Sequence, residues 1–251
     1  MIKTIKNSKL DNEKLDGCQP ILNDKLKGFD FSKVIVKKPW GYEYLAYNGS
    51  EVSIWILKIR RGAATSMHCH PNKKTTLIAL SGEAMLSTLN NSFHLNEGDG
   101  LLLDKKVFHS TKAVLDYIIV METEIPSNKT DLVRLYDKYC RESKGYEEQN
   151  EMCFDLKKYE PVLFSESEEK KIGKMCISVE NFQDNSSLWN NLKLSGDMII
   201  LLLSGEMFNE KNKEFFSAGD IFEINSPGGI DNLKIKKSVK ILKIVKNEKT
   251  D

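Results

Sequence analysis

Four histidines occur in the 251-residue sequence, His68, His70, His94 and His109, all in its first half. His68 and His70 stand two apart in Thr65-Ser66-Met67-His68-Cys69-His70, a stretch that reads as extended. Side chains on a strand alternate faces, so both imidazoles point one way and Cys69 the other. His109 follows a short apolar run, Gly100–Leu103, and a turn. If those strands are neighbours, three imidazoles converge inside one barrel. Imidazole is the commonest protein ligand for borderline divalent metals, and three ligands leave a coordination position open for chemistry. The alternative is three hydrogen-bonded or surface histidines. His94, just before Asn96-Glu97-Gly98-Asp99, reads as structural or exposed.

The elements that must hold these residues are short. Tyr42–Tyr47, Glu51–Arg60, Thr75–Leu80, Ala84–Leu89, Gly100–Leu103 and Tyr117–Glu122 are rich in Val, Ile, Leu, Thr and aromatic residues and are broken by Gly, Asn and Asp. That texture predicts an all-β sandwich or barrel. It returns in Lys174–Val179, Met198–Leu203, Ile221–Ile224 and Val239–Val245. Two phrases echo between the halves: Leu80-Ser81-Gly82-Glu83 with Leu203-Ser204-Gly205-Glu206, and Gly98-Asp99 with Gly219-Asp220. The echo suggests duplication of one β unit. Residues 1–30 read as an arm with one apolar patch at Ile21–Leu26. The polar stretch 128–150 carries Leu132, Leu135 and Tyr139 at helix-like spacing and predicts a short helix and linker.

The length suits two domains of roughly 100–125 residues. Charge is balanced, 37 Lys+Arg against 36 Asp+Glu, so no sequence-wide attraction to nucleic acid or anionic membrane is expected. The terminal lysines Lys3, Lys6, Lys9, Lys246 and Lys249 read as solvated tails. The five cysteines are scattered and form no C-x-x-C pair, which argues against a disulfide framework or a thiolate zinc site. No apolar run approaches the ~20 residues that span a bilayer, and the polar N-terminus has no signal-peptide core. Cytoplasmic residence is the expectation.

Gly62, His68, His70, Thr75 and Gly82 together resemble the first cupin motif, and Gly98 with His109 the second. Lys38-Pro39-Trp40-Gly41-Tyr42-Glu43 before them and Asp131–Arg141 after them resemble the borders of the cupin domain in type II mannose-6-phosphate isomerases. The likeness covers roughly residues 37–142. It implies two cupin (double-stranded β-helix, or jelly-roll) domains joined by a short helical linker. The units would be an arm at 1–30, a metal-type domain at 31–127, a linker at 128–158 and a degenerate domain at 159–251. In that second domain the position equivalent to His109 falls at 226–230, where no residue can ligate a metal.

The resemblance implies a divalent metal (zinc, iron or manganese) on His68, His70 and His109, and a phosphorylated or nucleotide-linked sugar as the small-molecule substrate. It also implies a homodimer. Aldose–ketose exchange would need a base, for which Glu43 and Glu122 are candidates by strand position. It would also need cations for the phosphate. Arg60 or Arg61 heads that choice, over Lys73, Lys74, Lys105 and Lys106; Arg134 and Arg141 match the closing motif. Trp40, Tyr42 and Trp55 suit either a sugar-stacking wall or core packing. This sequence also departs from the motif. Thr75 replaces a metal-binding Glu, His68 stands where the isomerases often have Gln, and Asp104 and Lys106 replace Pro and Gly. Three histidines without Glu also resemble the iron site of thiol dioxygenases. A non-catalytic sugar-binding or regulatory module is the third reading.

Overall fold

The computed structural model describes residues 1–18, 26, 28–192, 197–224 and 232–247. The fold is all-β, two jelly-roll barrels of the cupin type, with two α-helices of eight residues each among the described residues. In the first barrel β1 (Ile2–Ile5) and α1 (Lys9–Asp16) precede β2 (Ile35–Lys38), β3 (Gly41–Asn48), β4 (Ser53–Ile59) and β5 (Met67–Cys69). Then come β6 (Lys74–Ser81), β7 (Ala84–Thr88), β8 (Ser92–Leu95), β9 (Gly100–Leu103) and β10 (His109–Ala113). β11 (Ile118–Ile125), β12 (Val133–Tyr136) and β13 (Met152–Cys153) complete it. An eight-stranded sheet in the order β1-β9-β6-β11-β4-β3-β2-β13 faces a five-stranded sheet in the order β12-β5-β10-β7-β8.

The second barrel comprises β14 (Glu169–Ile172), β15 (Met175–Phe182), α2 (Asn185–Leu192), β16 (Met198–Ser204) and β17 (Met207–Asn209). It ends with β18 (Glu214–Phe216), β19 (Ile221–Ile224), β20 (Leu233–Ile235) and β21 (Val239–Lys246). Its sheets run β14-β15-β21-β16-β19 and β18-β17-β20. The echoing phrases occupy equivalent turns. Gly82 (φ +83°) and Gly205 (φ +86°) are both left-handed, and a Cβ on either would strike a backbone carbonyl, 2.8 Å from Tyr117 O or 2.4 Å from Ser238 O. Only glycine fits there.

Side-chain alternation divides each large sheet between two cores. In β4, Trp55, Leu57 and Ile59 face the first barrel's interior while Ile54 and Ile56 face outward. In β16, Met198, Ile200 and Leu202 fill the second barrel while Ile199, Leu201 and Leu203 face outward. The two outward faces meet in one apolar cluster with Ile78, Met121, Leu242 and Ile244. The barrels therefore stack back to back, and strands buried on both faces read as continuous apolar runs, as SIWILKI and MIILLLS do.

Several boundaries differ from the sequence reading. Within the stretch expected as an N-terminal arm, residues 1–18 are tied to the barrel: β1 pairs in parallel with β9, and α1 opens with a Ser8 capping box. Lys3 lies in β1 and Lys246 in β21, so neither belongs to a tail. The helix expected within 128–150 is absent; Val133–Tyr136 forms a strand along β5, and two 3-10 turns follow at Gln149–Glu151 and Leu156–Lys158. The open edge of β5 needs a hydrogen-bonding partner, and that requirement overrides the apolar spacing. Leu132 and Leu135 accordingly contact different clusters on opposite faces. Most of the Ile21–Leu26 patch, Lys249 and residues 226–230 lie outside the described residues; Leu26 itself is buried in the first core.

Truncating a side chain in the shared cluster should weaken both barrels. Leu201→Ala is expected to cost about 2–5 kcal/mol, measured by urea unfolding. A loss below 1 kcal/mol would mean the two barrels do not depend on that seam.

Candidate metal centre

His68 and His109 are directly paired across β5 and β10, and Arg134 on β12 pairs with His68 from the other side. The five-stranded sheet thus presents imidazole, imidazole and guanidinium side by side. His70 follows β5 by one residue, on the same face as His68. The nitrogens that could ligate, one from each of the three rings, lie within 4.8 Å of one another, and all three residues are buried. Cys69 faces away, fully buried against Phe108 and Val133.

Each ring is held from behind. His68 Nδ1 bonds Ser66 O at 2.8 Å, His70 Nδ1 bonds Asp131 O at 2.6 Å and His109 Nδ1 bonds Val107 O at 3.0 Å. A backbone carbonyl only accepts, so each Nδ1 carries the hydrogen and each neutral ring turns a bare Nε2 lone pair inward. Nε2 of both His70 and His109 is buried without a partner. Burial, with the neighbouring imidazoles and cations, keeps His68 and His70 well below the ordinary histidine value. Burial likewise lowers His109 to about 4. Three neutral imidazoles held in one tautomer, two of them with unsatisfied Nε2 atoms, fit a divalent ion, and outer carbonyls of this kind fix tautomer and orientation in metal sites. Thr75 Oγ1, at the position of the motif's Glu, is also buried without a partner and is no substitute for a carboxylate.

The opposite wall comes from the eight-stranded sheet and is ionic. Glu43 on β3 and Glu122 and Glu124 on β11 turn inward and converge on Lys129, whose Nζ lies 3.1, 3.9 and 3.2 Å from their Oε1 atoms. Lys129 Nζ also sits 3.8 Å from the Trp55 ring centre. Lys73, 1% exposed, bonds Glu124 at 2.6 Å. Lys38 pairs with Glu43 and Glu147, Tyr146 donates to Glu43, and Arg141 pairs with Asp137 and Glu147. Arg134 spends its Nη atoms on Lys144 O, Gly145 O and Glu147, leaving Nε buried and unpartnered.

These surroundings give the three inner carboxylates different protonation. Against the pull of burial, Lys129 and Lys38 hold Glu43 down to about 2. Lys129 and Lys73 similarly keep Glu124 below the usual range. For Glu122 burial wins, and its proton is held more tightly than usual. Glu43 is thus a fixed anion, whereas Glu122 has the character of an acid–base group.

The structure brings Glu43, His68, His70, Glu122, Arg134 and Arg141 to one cavity of about 50 Å³, with His109 beside it in the histidine cluster. Arg60 is not there: it follows β4 by one residue, is exposed, and donates to Pro39 O. The cation that sequence proximity missed is Lys129, carried in on the turn after β11; Lys73, ranked below Arg60, lines the cavity with it. Trp40 lines the cavity, Trp55 packs behind Lys129, and Tyr42 lies outside, stacked on Tyr44 and edge-on to Tyr159. His94 is exposed, 3.3 Å from Glu83.

No family model matches the sequence, and no curated protein does. Among solved structures, an oxalate decarboxylase variant from Bacillus subtilis aligns over 88% of this chain and 77% of its own, at 12% identity and TM-score 0.40. An oxalate decarboxylase–formate complex from Lactobacillus farciminis aligns over 87% and 85%, at 12% identity and TM-score 0.39. KdgF from Halomonas sp. aligns over 36% of this chain and 84% of its own, at 15% identity and TM-score 0.35.

Protons should unsettle the metal-free site. A histidine whose folded value is depressed adds stability above its unfolded value near 6.5 and loses it as pH falls toward the folded one. For His109 the window runs from about 6.5 to about 4 and is worth on the order of 3 kcal/mol; His68 and His70 act in the same direction. Urea midpoints of the apoprotein should fall across that window, and a His68→Gln/His70→Gln/His109→Gln variant should show a flatter profile. An equal decline in the variant would assign the acid limb to other groups. By its own topology the chain is a bicupin in fold, with the histidine cluster in its first barrel.

Proposed function

We propose that this chain is a divalent-metal enzyme that moves a proton on a small anionic hydroxy-carbonyl compound, in the manner of a sugar-phosphate isomerase or epimerase. The observation that carries the reading is Glu122. It is the inner carboxylate whose proton burial holds more tightly than usual, and it shares a cavity with His68 and His70. Proton transfer between adjacent carbons needs a positioned group that can both take and return a proton, and an upward shift suits a carboxylate to that part. His68, His70 and His109 would hold the ion, which supplies polarisation of the substrate's oxygens.

The chain's own residues divide the remaining work. Glu122 takes and returns the proton. Arg134 Nε, facing inward beside His68 with no partner, is placed to donate to an anionic group. Glu43 stays ionised and fixes Lys129 and Lys38. A cavity of about 50 Å³ holds roughly four waters. It therefore admits the reacting end of a substrate, and any nucleotide or phosphate beyond that end would lie outside. The homodimer implied by the resemblance would need a surface other than the outer face of the eight-stranded sheet, which the second barrel covers. No helix among the described residues is long and apolar enough to cross a membrane; a cytoplasmic location is part of the proposal.

One observation favours the three-histidine iron oxygenase instead: Thr75 leaves the ligand set without a carboxylate. Elemental analysis and a panel of aldose and ketose phosphates separate the readings. The isomerase reading expects near-stoichiometric zinc, manganese or iron, turnover without oxygen, and a Glu122→Gln variant that keeps its metal but loses about 10²–10⁴-fold in kcat. Turnover unchanged in Glu122→Gln would remove the proton-transfer reading. Iron with oxygen uptake would select the oxygenase, and bound sugar without turnover a binding module.

A further inference from the structure

The three ligand histidines have a backing layer outside the cupin motifs. α1 lies against the outer face of the five-stranded sheet, where its Leu15 and the following Cys18 pack on a buried cluster of Cys69, Phe108 and Val133. Cys69 sits between His68 and His70, and Phe108 immediately precedes His109. The helix thus touches the far side of the very backbone that carries all three rings.

One polar contact joins the two layers. Asp11, 3% exposed, accepts the Phe108 backbone N–H on Oδ1 at 2.9 Å. Its Oδ2 is fixed by Ser8, whose N and Oγ lie at 2.7 and 2.6 Å, while Asp11 N donates to Ser8 Oγ. The carboxylate therefore spends both oxygens, one on its own helix cap and one on a residue 97 positions away. Phe108 stands between Val107, whose carbonyl orients His109, and His109 itself. Without Asp11 the Phe108 N–H would be buried and unsatisfied, and the turn before β10 would be free to rotate its carbonyls.

We propose that Asp11 is a positioning residue for the metal centre: by anchoring the Phe108 amide it fixes the Val107 carbonyl and so the direction of His109 Nε2. The proposal rests on the reading of His68, His70 and His109 as metal ligands. Asp131 has the matching part on the other side. Its carboxylate accepts Asn72 and Lys73 N–H groups while its carbonyl orients His70. The difference is that Asp11 reaches the site from a segment before the barrel proper, so the first eighteen residues are part of the centre's construction.

The test is cobalt(II) binding by the full-length, metal-depleted protein, with affinity from competition against a chromogenic chelator and geometry from the visible d–d spectrum. Asp11→Ala is expected to lose about 10–100-fold in affinity, the range typical of outer partners of metal ligands, with an altered spectrum. Asp11→Asn, which keeps an Oδ1 acceptor, should restore most of both. A folded Asp11→Ala protein with wild-type affinity and spectrum overturns the proposal, whatever its melting temperature. If Asp11→Ala does not fold, Asp11→Ser, whose hydroxyl stops short of the amide, is read with the same two outcomes. If the wild type itself takes up no cobalt, the metal reading fails, and ¹⁵N NMR of the metal-free proteins still decides the positioning. A single His109 Nδ1–H tautomer in the wild type and a mixture in the variant support it; the same tautomer in both overturns it.

Discussion

A buried imidazole must place its one N–H somewhere, and in this barrel all three such groups are given to backbone carbonyls. The bonds to Ser66, Asp131 and Val107 oxygens consume every Nδ1 hydrogen and leave the lone pairs facing inward. The site's geometry is thereby tied to main-chain geometry, which the sheet ladders determine. Two of those carbonyls belong to turns, and turns drift unless something outside them is fixed. Carboxylates do that fixing, Asp131 through the amides of Asn72 and Lys73 and Asp11 through the amide of Phe108.

The ionic lining of the cavity obeys a different constraint. Five buried cations, Lys38, Lys73, Lys129, Arg134 and Arg141, are set against five acidic residues, Glu43, Glu122, Glu124, Asp137 and Glu147. Desolvating so many charges is costly, and hydrophobic replacements of similar volume are often at least as stable. What the array supplies is a preorganised polar surface around the histidines, with Arg134 beside His68 and the glutamates of β3 and β11 across from it. It also separates the acids by protonation: Glu43 lies near 2, while Glu122, least well placed toward Lys129, is raised.

Much of this was legible in the sequence because it follows from local rules. The two-residue spacing of His68 and His70 sets them on one face, and each apolar run named from the sequence overlaps a strand, as Gly100–Leu103 and Ile221–Ile224 do in full, though β11 and β15 run on past the expected ends. Repeated left-handed glycines betray the duplication. What escaped was set by partners distant in the chain. Arg60 is adjacent to the first motif yet faces solvent, whereas Lys129 arrives from the far end of β11. The 128–150 stretch has helix-like spacing, but the unpaired edge of β5 made Val133–Tyr136 a strand. Asp11 gave the faintest signal of all. Ser8-Lys9-Leu10-Asp11 can be read as a cap, but nothing local says that its second oxygen serves an amide 97 residues on.

The back-to-back seam bears on which substitutions the second barrel can accumulate. Its interior, from Phe182 to Ile241, is filled with apolar side chains and offers no histidine, so each position there answers only to volume and greasiness. Its outward-facing Ile199, Leu201, Leu203, Leu242 and Ile244 answer to the first barrel as well, since they roof the sheet that carries Glu43, Glu122 and Glu124 on its other side. Such a half can drift in sequence on one face and be held nearly still on the other. Between related chains the divergence should therefore alternate, residue by residue, along β16 and β21.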